Sequence, residues 1–225
     1  MRNYKCIENL LNRNSKLFMS SDTDIIDDED IKKIESIKEI KVDDLIFAIM
    51  VRDEVEINPR DVPMYSSFKD CTENICKLLD VISNVGMEFD ELGGALLGYI
   101  AKNMAHYKYG ESHSKAAEIL GLVKIEKIKN GKNKVFLTKI GQYYANNETG
   151  KKELILRLLL SSKIIQKIVK NHENGCMVKD LISFLSHTTI VRRMPNIKTF
   201  VKELIRLDED DFIKIIEKVD FSTHD

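Results

Sequence analysis

Apolar positions with helical spacing dominate residues 68–104. Five of them recur at i, i+4, i+7, i+8 and i+11 and define one helical face: Cys71, Ile75, Leu78, Leu79 and Ile82. A second series predicts another helix: Phe89, Leu92, Leu96, Ile100 and Met104. Three glycines lie inside this second helix: Gly93, Gly94 and Gly98. Because each glycine costs a helix about 1 kcal/mol relative to alanine, they predict a close crossing with a neighbouring helix.

The spacing changes after residue 112. Ser112 is a suitable N-cap for a short third helix that ends at Gly121. Residues 123–128 and 134–138 are β-prone runs, and Asn130-Gly131 between them is typical of a hairpin turn. The order of helix, helix, short helix and hairpin predicts a winged helix. In that fold the third helix enters the DNA major groove, and the hairpin tip contacts the neighbouring backbone.

A related order of elements follows from residue 151. Residues 151–171 are strongly helical, and Ser161-Ser162 is a candidate division between two helices. A later helix is predicted to begin near Pro195, which is tolerated at the first helical position because its missing N–H costs nothing there. Residues 212–216 form a candidate closing strand.

These patterns predict a mainly α-helical protein with a small β hairpin. We expect an acidic N-terminal region (1–65) of undefined fold and a winged-helix domain (66–150). A second, winged-helix-like helical module (151–225) completes the predicted chain.

Charge is distributed unevenly, although the formal net charge is only -1. Residues 1–104 carry 13 basic and 21 acidic side chains, and residues 105–206 carry 20 basic and 8 acidic ones. Residues 207–225 are acidic again, with 2 basic and 7 acidic side chains. The basic central block predicts a negatively charged partner, although lysine-rich helices that serve only to keep a protein in solution would give the same excess.

Thirteen residues of this block are candidate DNA contacts. Near the start of the predicted third helix, where a helix N-terminus can meet phosphate, they are Lys108, Ser112, His113, Ser114 and Lys115. At the hairpin tip they are Lys129, Asn130, Lys132 and Lys134. In the second module they are Arg192, Arg193, Lys198 and Lys202. Lys198 and Lys202 recur with Arg206 at i, i+4 and i+8 as a basic stripe on one helical face, and Arg192 and Arg193 extend this stripe upstream.

The segment YGESHSKAAEILGLV (109–123), followed by KVFLTKIG (134–141), resembles winged-helix DNA-binding modules associated with type II restriction endonucleases. The shared skeleton is A-x-x-L-G-L-V followed by V-x-L-T-x-x-G. A further pattern, T-x-x-R-R-x-x-x-I-x-x-[WF], matches from Thr189 to Phe200. The chain also resembles winged-helix regions that trail some archaeal ATPases. The resemblance covers residues 70–207. It implies recognition of double-stranded DNA in a prokaryotic restriction-modification or related DNA-processing system, as a homodimer or with a nuclease or methyltransferase partner.

Catalytic chemistry has little support in the sequence. Glu39-Ile40-Lys41, with Asp27, Asp28 or Asp30 upstream, has the composition of a Mg²⁺-dependent restriction-type nuclease centre, but so short a motif arises by chance in a Lys/Glu-rich chain. The histidines lack zinc-ligand spacing, and no Walker, GxGxxG or nucleophile-elbow motif occurs. We therefore expect no metal and no cofactor. Two alternatives stay open: a protein-interaction or assembly module on a winged-helix scaffold, and a small Mg²⁺-dependent nuclease.

The remaining sequence features concern location. No apolar run approaches the roughly 18 residues that span a bilayer, and the N-terminus lacks the apolar core of a secretory signal. The four cysteines show no CxxC spacing. We expect a reduced, cytoplasmic protein without membrane association.

Overall fold

The computed structural model describes residues 2–19, 26–64, 71–82, 85–98, 103–171, 175, 177–207 and 219–223. These residues are mainly helical and include a small three-stranded antiparallel sheet. The helices are α1 (Arg2–Asn12), α2 (Asp28–Lys38), α3 (Val42–Val51), α4 (Cys71–Val81), α5 (Phe89–Leu97), α6 (Asn103–Ile119), α7 (Lys139–Asn146), α8 (Lys151–Leu160), α9 (Lys163–Asn171), α10 (Val178–Leu181) and α11 (His187–Leu207). The strands are β1 (Met87–Glu88), β2 (Val123–Lys127) and β3 (Asn133–Leu137). In this part of the chain no helix has both the length and the apolar character needed to cross a membrane.

The predicted hairpin is confirmed. Strands β2 and β3 pair in antiparallel register from Val123 opposite Leu137 to Lys127 opposite Asn133. Gly131 takes φ +83° in the turn, a conformation that glycine adopts without strain. The sheet also contains β1, which pairs with β3 so that the strand order is β1-β3-β2. The sequence did not predict β1, because two residues are too few to show an alternating pattern.

Helices α5 and α6 cross in very close contact, as predicted, at Gly93, whereas a Cβ atom at Gly98 would meet no neighbouring atom within 4 Å. A Cβ atom at Gly93 would lie 1.8 Å from the carbonyl oxygen of His106, and one at Gly110 would lie 2.0 Å from that of Phe89. Glycine is therefore required on both helices. The predicted extent of α5 was wrong, because the helix ends at Leu97 and its C-cap Gly98 has φ +74°.

Helix α6 is longer than predicted. Ser112 does not cap a short helix but lies in the middle of α6, where its Oγ donates a hydrogen bond of 2.5 Å to the carbonyl oxygen of Lys108. Ser114 Oγ likewise donates to the carbonyl oxygen of Gly110, at 2.7 Å. Serine favours N-caps, but inside a helix it can also donate to the carbonyl four residues earlier, so its presence alone did not fix the start. The predicted end near Gly121 is confirmed by its φ of +75°.

The N-terminal region packs into the same core as the rest of the chain. Its helices α2 and α3 contact α7, α8 and α9, and the buried apolar side chains form one cluster from Ile7 to Leu207. Polar side chains reinforce these contacts. Arg157 Nη2 donates to the carbonyl oxygen of Ile40 at 2.7 Å, and Arg13 Nη1 donates to that of Glu118 at 3.3 Å. The described part of the N-terminal region therefore contacts the C-terminal end of α6 as well as α7, α8 and α9.

The region after residue 150 contains α8 to α11. Ser161 and Ser162 separate α8 from α9, as predicted. The prediction that a helix begins at Pro195 was wrong, because α11 begins at His187 and Pro195 lies inside it. Buried side chains on both sides of the proline, among them Met194 and Ile197, hold the helix together. The candidate strand 212–216 lies outside the described residues.

Candidate nucleic-acid interface

Helix α6 has one buried face and one open face. The buried face includes His106, Gly110 and Ala117. Residues on the open face follow at intervals of three or four: Ala105 and Lys108 are exposed, and Glu111, Ser112 and Lys115 are half-buried. The open face therefore combines two lysines, a serine hydroxyl and one carboxylate.

The open face of α6 forms one wall of a groove whose other side includes α11. The groove has a volume of about 490 Å³, and Lys108, Ser112, Lys115 and Arg192 line it together with the apolar Leu97 and Met64. The structure thus brings together four of the predicted contact residues from two separate parts of the chain. One ion pair lies in the groove, with Lys115 Nζ 2.6 Å from Oε1 of Glu111.

The hairpin tip presents a second basic surface. Lys129, Asn130 and Lys132 are all exposed, as expected for phosphate contacts. Lys132 Nζ forms an ion pair with Glu88 of β1, and the hydrogen bond from this pair raises the pKa of Lys132. Lys134 is half-buried and places its Nζ 5.7 Å from the ring centroid of Phe136. Lys132 therefore has a carboxylate beside it and Lys134 an aromatic ring, whereas Lys129 is described only as exposed.

Burial removes three predicted contact residues from this surface. His113 is 4% exposed, and its Nδ1 lies 2.9 Å from the carbonyl oxygen of Tyr109. Burial lowers the pKa of His113, which favours the neutral form of the ring. Ser114 is fully buried. Arg193 is 7% exposed and donates through Nη1 to the carbonyl oxygen of Pro59 at 2.6 Å. These three side chains lie on the interior side of their helices, so they offer little surface to a bound duplex.

The expected continuous stripe along α11 is also corrected. Arg192 and Lys198 are six residues apart, which separates them by about 120° around a helix of 3.6 residues per turn. Lys198 and Lys202 instead line a different groove with residues 219–222, and Lys198 Nζ lies 5.9 Å from the ring centroid of Phe221. The groove beside α6 therefore receives only Arg192 from this set.

The acidic motif of the N-terminal region does not form a metal centre. Asp30 is buried and forms an ion pair with Lys139, with Oδ2 and Nζ 2.5 Å apart. Glu39 is exposed at the opposite end of α2, about 13 Å farther along the helix axis, so one ion cannot contact both carboxylates. Within the described ranges, no group of three His, Cys, Asp or Glu side chains could hold a metal ion.

The sequence did not predict that two acidic residues would lie within the basic surfaces. Glu88 approaches the hairpin tip because β1 pairs with β3, and Glu111 approaches Lys115 because both lie on one face of α6. The spacing of Glu111 and Lys115, four residues within a helix, was a usable signal. Glu88 had none, since its contact depends on an unpredicted strand.

Comparison of the chain with protein-family models, with curated proteins and with solved structures found no match. The geometry of the two basic surfaces is therefore the basis for a functional assignment.

Proposed function

We propose that residues 71–137 form a winged helix that binds double-stranded DNA. The elements follow in the order α4, β1, α5, α6, β2 and β3, and β3 is the central strand. In this reading α6 is the helix that approaches the major groove, and the β2–β3 turn is the wing that contacts the neighbouring backbone. The side-chain chemistry fits both roles.

The observation that carries the proposal is the exposure of lysines at both expected contact points. Lys108 is exposed on α6, and Lys129 and Lys132 are exposed on the hairpin tip. Lysine at a wing supplies phosphate contacts, which set affinity and register but do not read bases. We expect binding that depends strongly on salt and weakly on sequence at this part of the interface.

We further propose that residues 151–225, which begin with α8, form a second, winged-helix-like module. The backbone N–H of Val178, at the start of α10, donates to the carbonyl oxygen of Asp220 at 3.0 Å. This contact resembles the pairing of β1, at the start of α5, with β3. The sequence DEDD at 208–211 is acidic, unlike the lysine-rich hairpin tip of the first module, and lies outside the described residues.

The biological setting is part of the same proposal. The sequence resemblance favours a cytoplasmic role in a restriction-modification or related DNA-processing system, with a nuclease or methyltransferase partner or a second copy of this chain. We do not assign nuclease activity to this chain, because Asp30 is paired with Lys139 and Glu39 lies far from it.

Substitution of the wing lysines tests the proposal. Lys129→Ala and Lys132→Ala should each weaken binding to a labelled random-sequence duplex. Each should also make the slope of log K against log salt concentration, here called the salt slope, smaller in magnitude by about one. Lys41→Ala is the matched control, because Lys41 is an exposed lysine before α3, in the acidic N-terminal region. Fluorescence anisotropy at about 50 and 150 mM salt measures the effect. Equal affinities of the wing and control variants would contradict the wing assignment.

A protein-interaction role is the second candidate, and one observation favours it. Phe47 and Val51 lie one turn apart on α3 and are 68% and 56% exposed. Large apolar side chains in such a pair are typical of contact surfaces. Absence of duplex binding at low salt by the wild-type chain would favour this candidate over DNA binding.

A further inference from the structure

We propose that Arg192 of α11 completes the DNA-contacting face of α6, so that one strand of the bound duplex lies with its backbone between the two helices. This inference rests on the proposed DNA binding. It adds a contact that a winged helix of residues 71–137 would lack, because Arg192 belongs to the second module. The two modules would then bind DNA as one surface.

The position of Arg192 is set by its neighbour. Arg193 Nη1 donates to the carbonyl oxygens of Pro59 and Val62, at 2.6 and 3.3 Å. Asn196 Nδ2, one turn later, donates to the carbonyl oxygen of Pro63 at 3.4 Å. These bonds fasten the first half of α11 to the loop before α4. Arg192, the preceding residue, consequently remains exposed and lines the groove beside α6.

The groove has the chemistry of a phosphodiester site. Lys108 and Lys115 come from α6 and Arg192 from α11, against the single carboxylate of Glu111. Arg193 adds a further positive charge behind Arg192, and its pKa is lowered by burial and by the charge of Arg192. An anion bound at Arg192 would relieve this repulsion. The apolar side chains of Leu97 and Met64 provide contact for the sugar carbons of a backbone segment.

Arginine has a specific advantage at this position. Its planar guanidinium can donate two parallel hydrogen bonds to the oxygens of one phosphate. Lys108, as a point charge on α6, can approach the same backbone segment from its other side. A groove of about 490 Å³ accommodates such a segment but not a whole duplex, so the rest of the DNA must lie outside it.

The test compares two cations of the same helix. Arg192→Ala should weaken duplex binding about tenfold or more, because it removes charge-assisted hydrogen bonds, and should reduce the salt slope by about one. Lys198→Ala removes an equal charge from another face of α11 and should change the affinity less than about twofold, within the scatter of surface contacts. Arg192→Lys should recover part of the loss, since it keeps the charge but not the paired donors. Thermal unfolding of each variant shows whether the protein remains folded.

The outcomes separate this inference from the proposed function. If the wing variants weaken binding but neither Arg192→Ala nor Lys198→Ala does, DNA does not occupy the groove between α6 and α11, and DNA binding by the first module stands. If Arg192→Ala and Lys198→Ala weaken binding equally, the loss is a general charge effect and the groove assignment is also wrong. If the wild-type chain binds no duplex at low salt, both proposals fail.

Discussion

Gly93→Ala should destabilise the protein, although alanine is the better helix former. Gly93 lies inside α5, directly against the backbone of His106 in α6. A Cβ atom there would be 1.8 Å from the His106 carbonyl oxygen, whereas real Cβ contacts are essentially never shorter than 3.0 Å. The two helices would have to separate by about 1.2 Å at this point, the difference between these distances.

The expected magnitude follows from two opposing effects. Overpacking of a closely packed site costs about 1–3 kcal/mol, and the upper end applies because a backbone atom cannot move aside by changing rotamer. Replacement of glycine by alanine in a helix returns about 1 kcal/mol. We therefore expect a net loss of about 2 kcal/mol in the free energy of unfolding, or about 4–8 °C in Tm for a chain of this size.

Urea denaturation followed by circular dichroism measures this change. Ala95→Gly is a suitable control, because Ala95 is exposed on the same helix and its replacement should cost about 1 kcal/mol from helix propensity alone. Gly110→Ala should resemble Gly93→Ala, since its Cβ would meet the Phe89 carbonyl oxygen at 2.0 Å. A gain in stability for Gly93→Ala would refute the close crossing and with it the described position of α6.

Two further predictions concern buried charge. Burial lowers the pKa of His113 in the folded state. The free energy of unfolding should therefore be insensitive to this group above about pH 6.5, the pKa of an unfolded histidine. Below that pH it should fall by up to about 1.4 kcal/mol per pH unit, until the folded-state pKa is reached. His113→Gln should remove that component, and an unchanged acid slope in urea titrations would contradict it. Lys139→Met should cost about 3–5 kcal/mol by leaving the buried Asp30 carboxylate unpaired, and the double variant Lys139→Met/Asp30→Leu should recover most of the loss. A double variant no more stable than the single one would show that the ion pair is not the cause.

Local signals explain what the sequence could predict. The hairpin followed from Asn130-Gly131 between β-prone runs, and α4 followed from the spacing of its apolar face. Gly93 indicated a close crossing because glycine inside a helix has an energetic cost that close contact with a neighbouring backbone can explain. Ser161-Ser162 marked a real break between α8 and α9. Each of these depends on neighbours within about ten residues.

The misjudged features depend on contacts distant in sequence. Pro195 lies inside α11 because the core holds the helix on both sides of it, which local propensity cannot show. Arg193 was predicted to contact DNA as part of a basic stripe, yet its side chain is buried and its partners are carbonyl groups more than 130 residues away. The groove between α6 and α11 could not be predicted for the same reason, since only folding brings Arg192 and Lys108 to one groove.

The salt dependence of duplex binding by the wild-type chain tests the central claim most directly. The exposed and half-buried cations proposed to face DNA are Lys108, Lys115, Lys129, Lys132, Lys134 and Arg192. If they neutralise about five phosphates, a plot of log K against log salt concentration should fall with a slope of about -4 to -5. A slope near zero, or no duplex binding at about 50 mM salt, would contradict DNA binding by this surface.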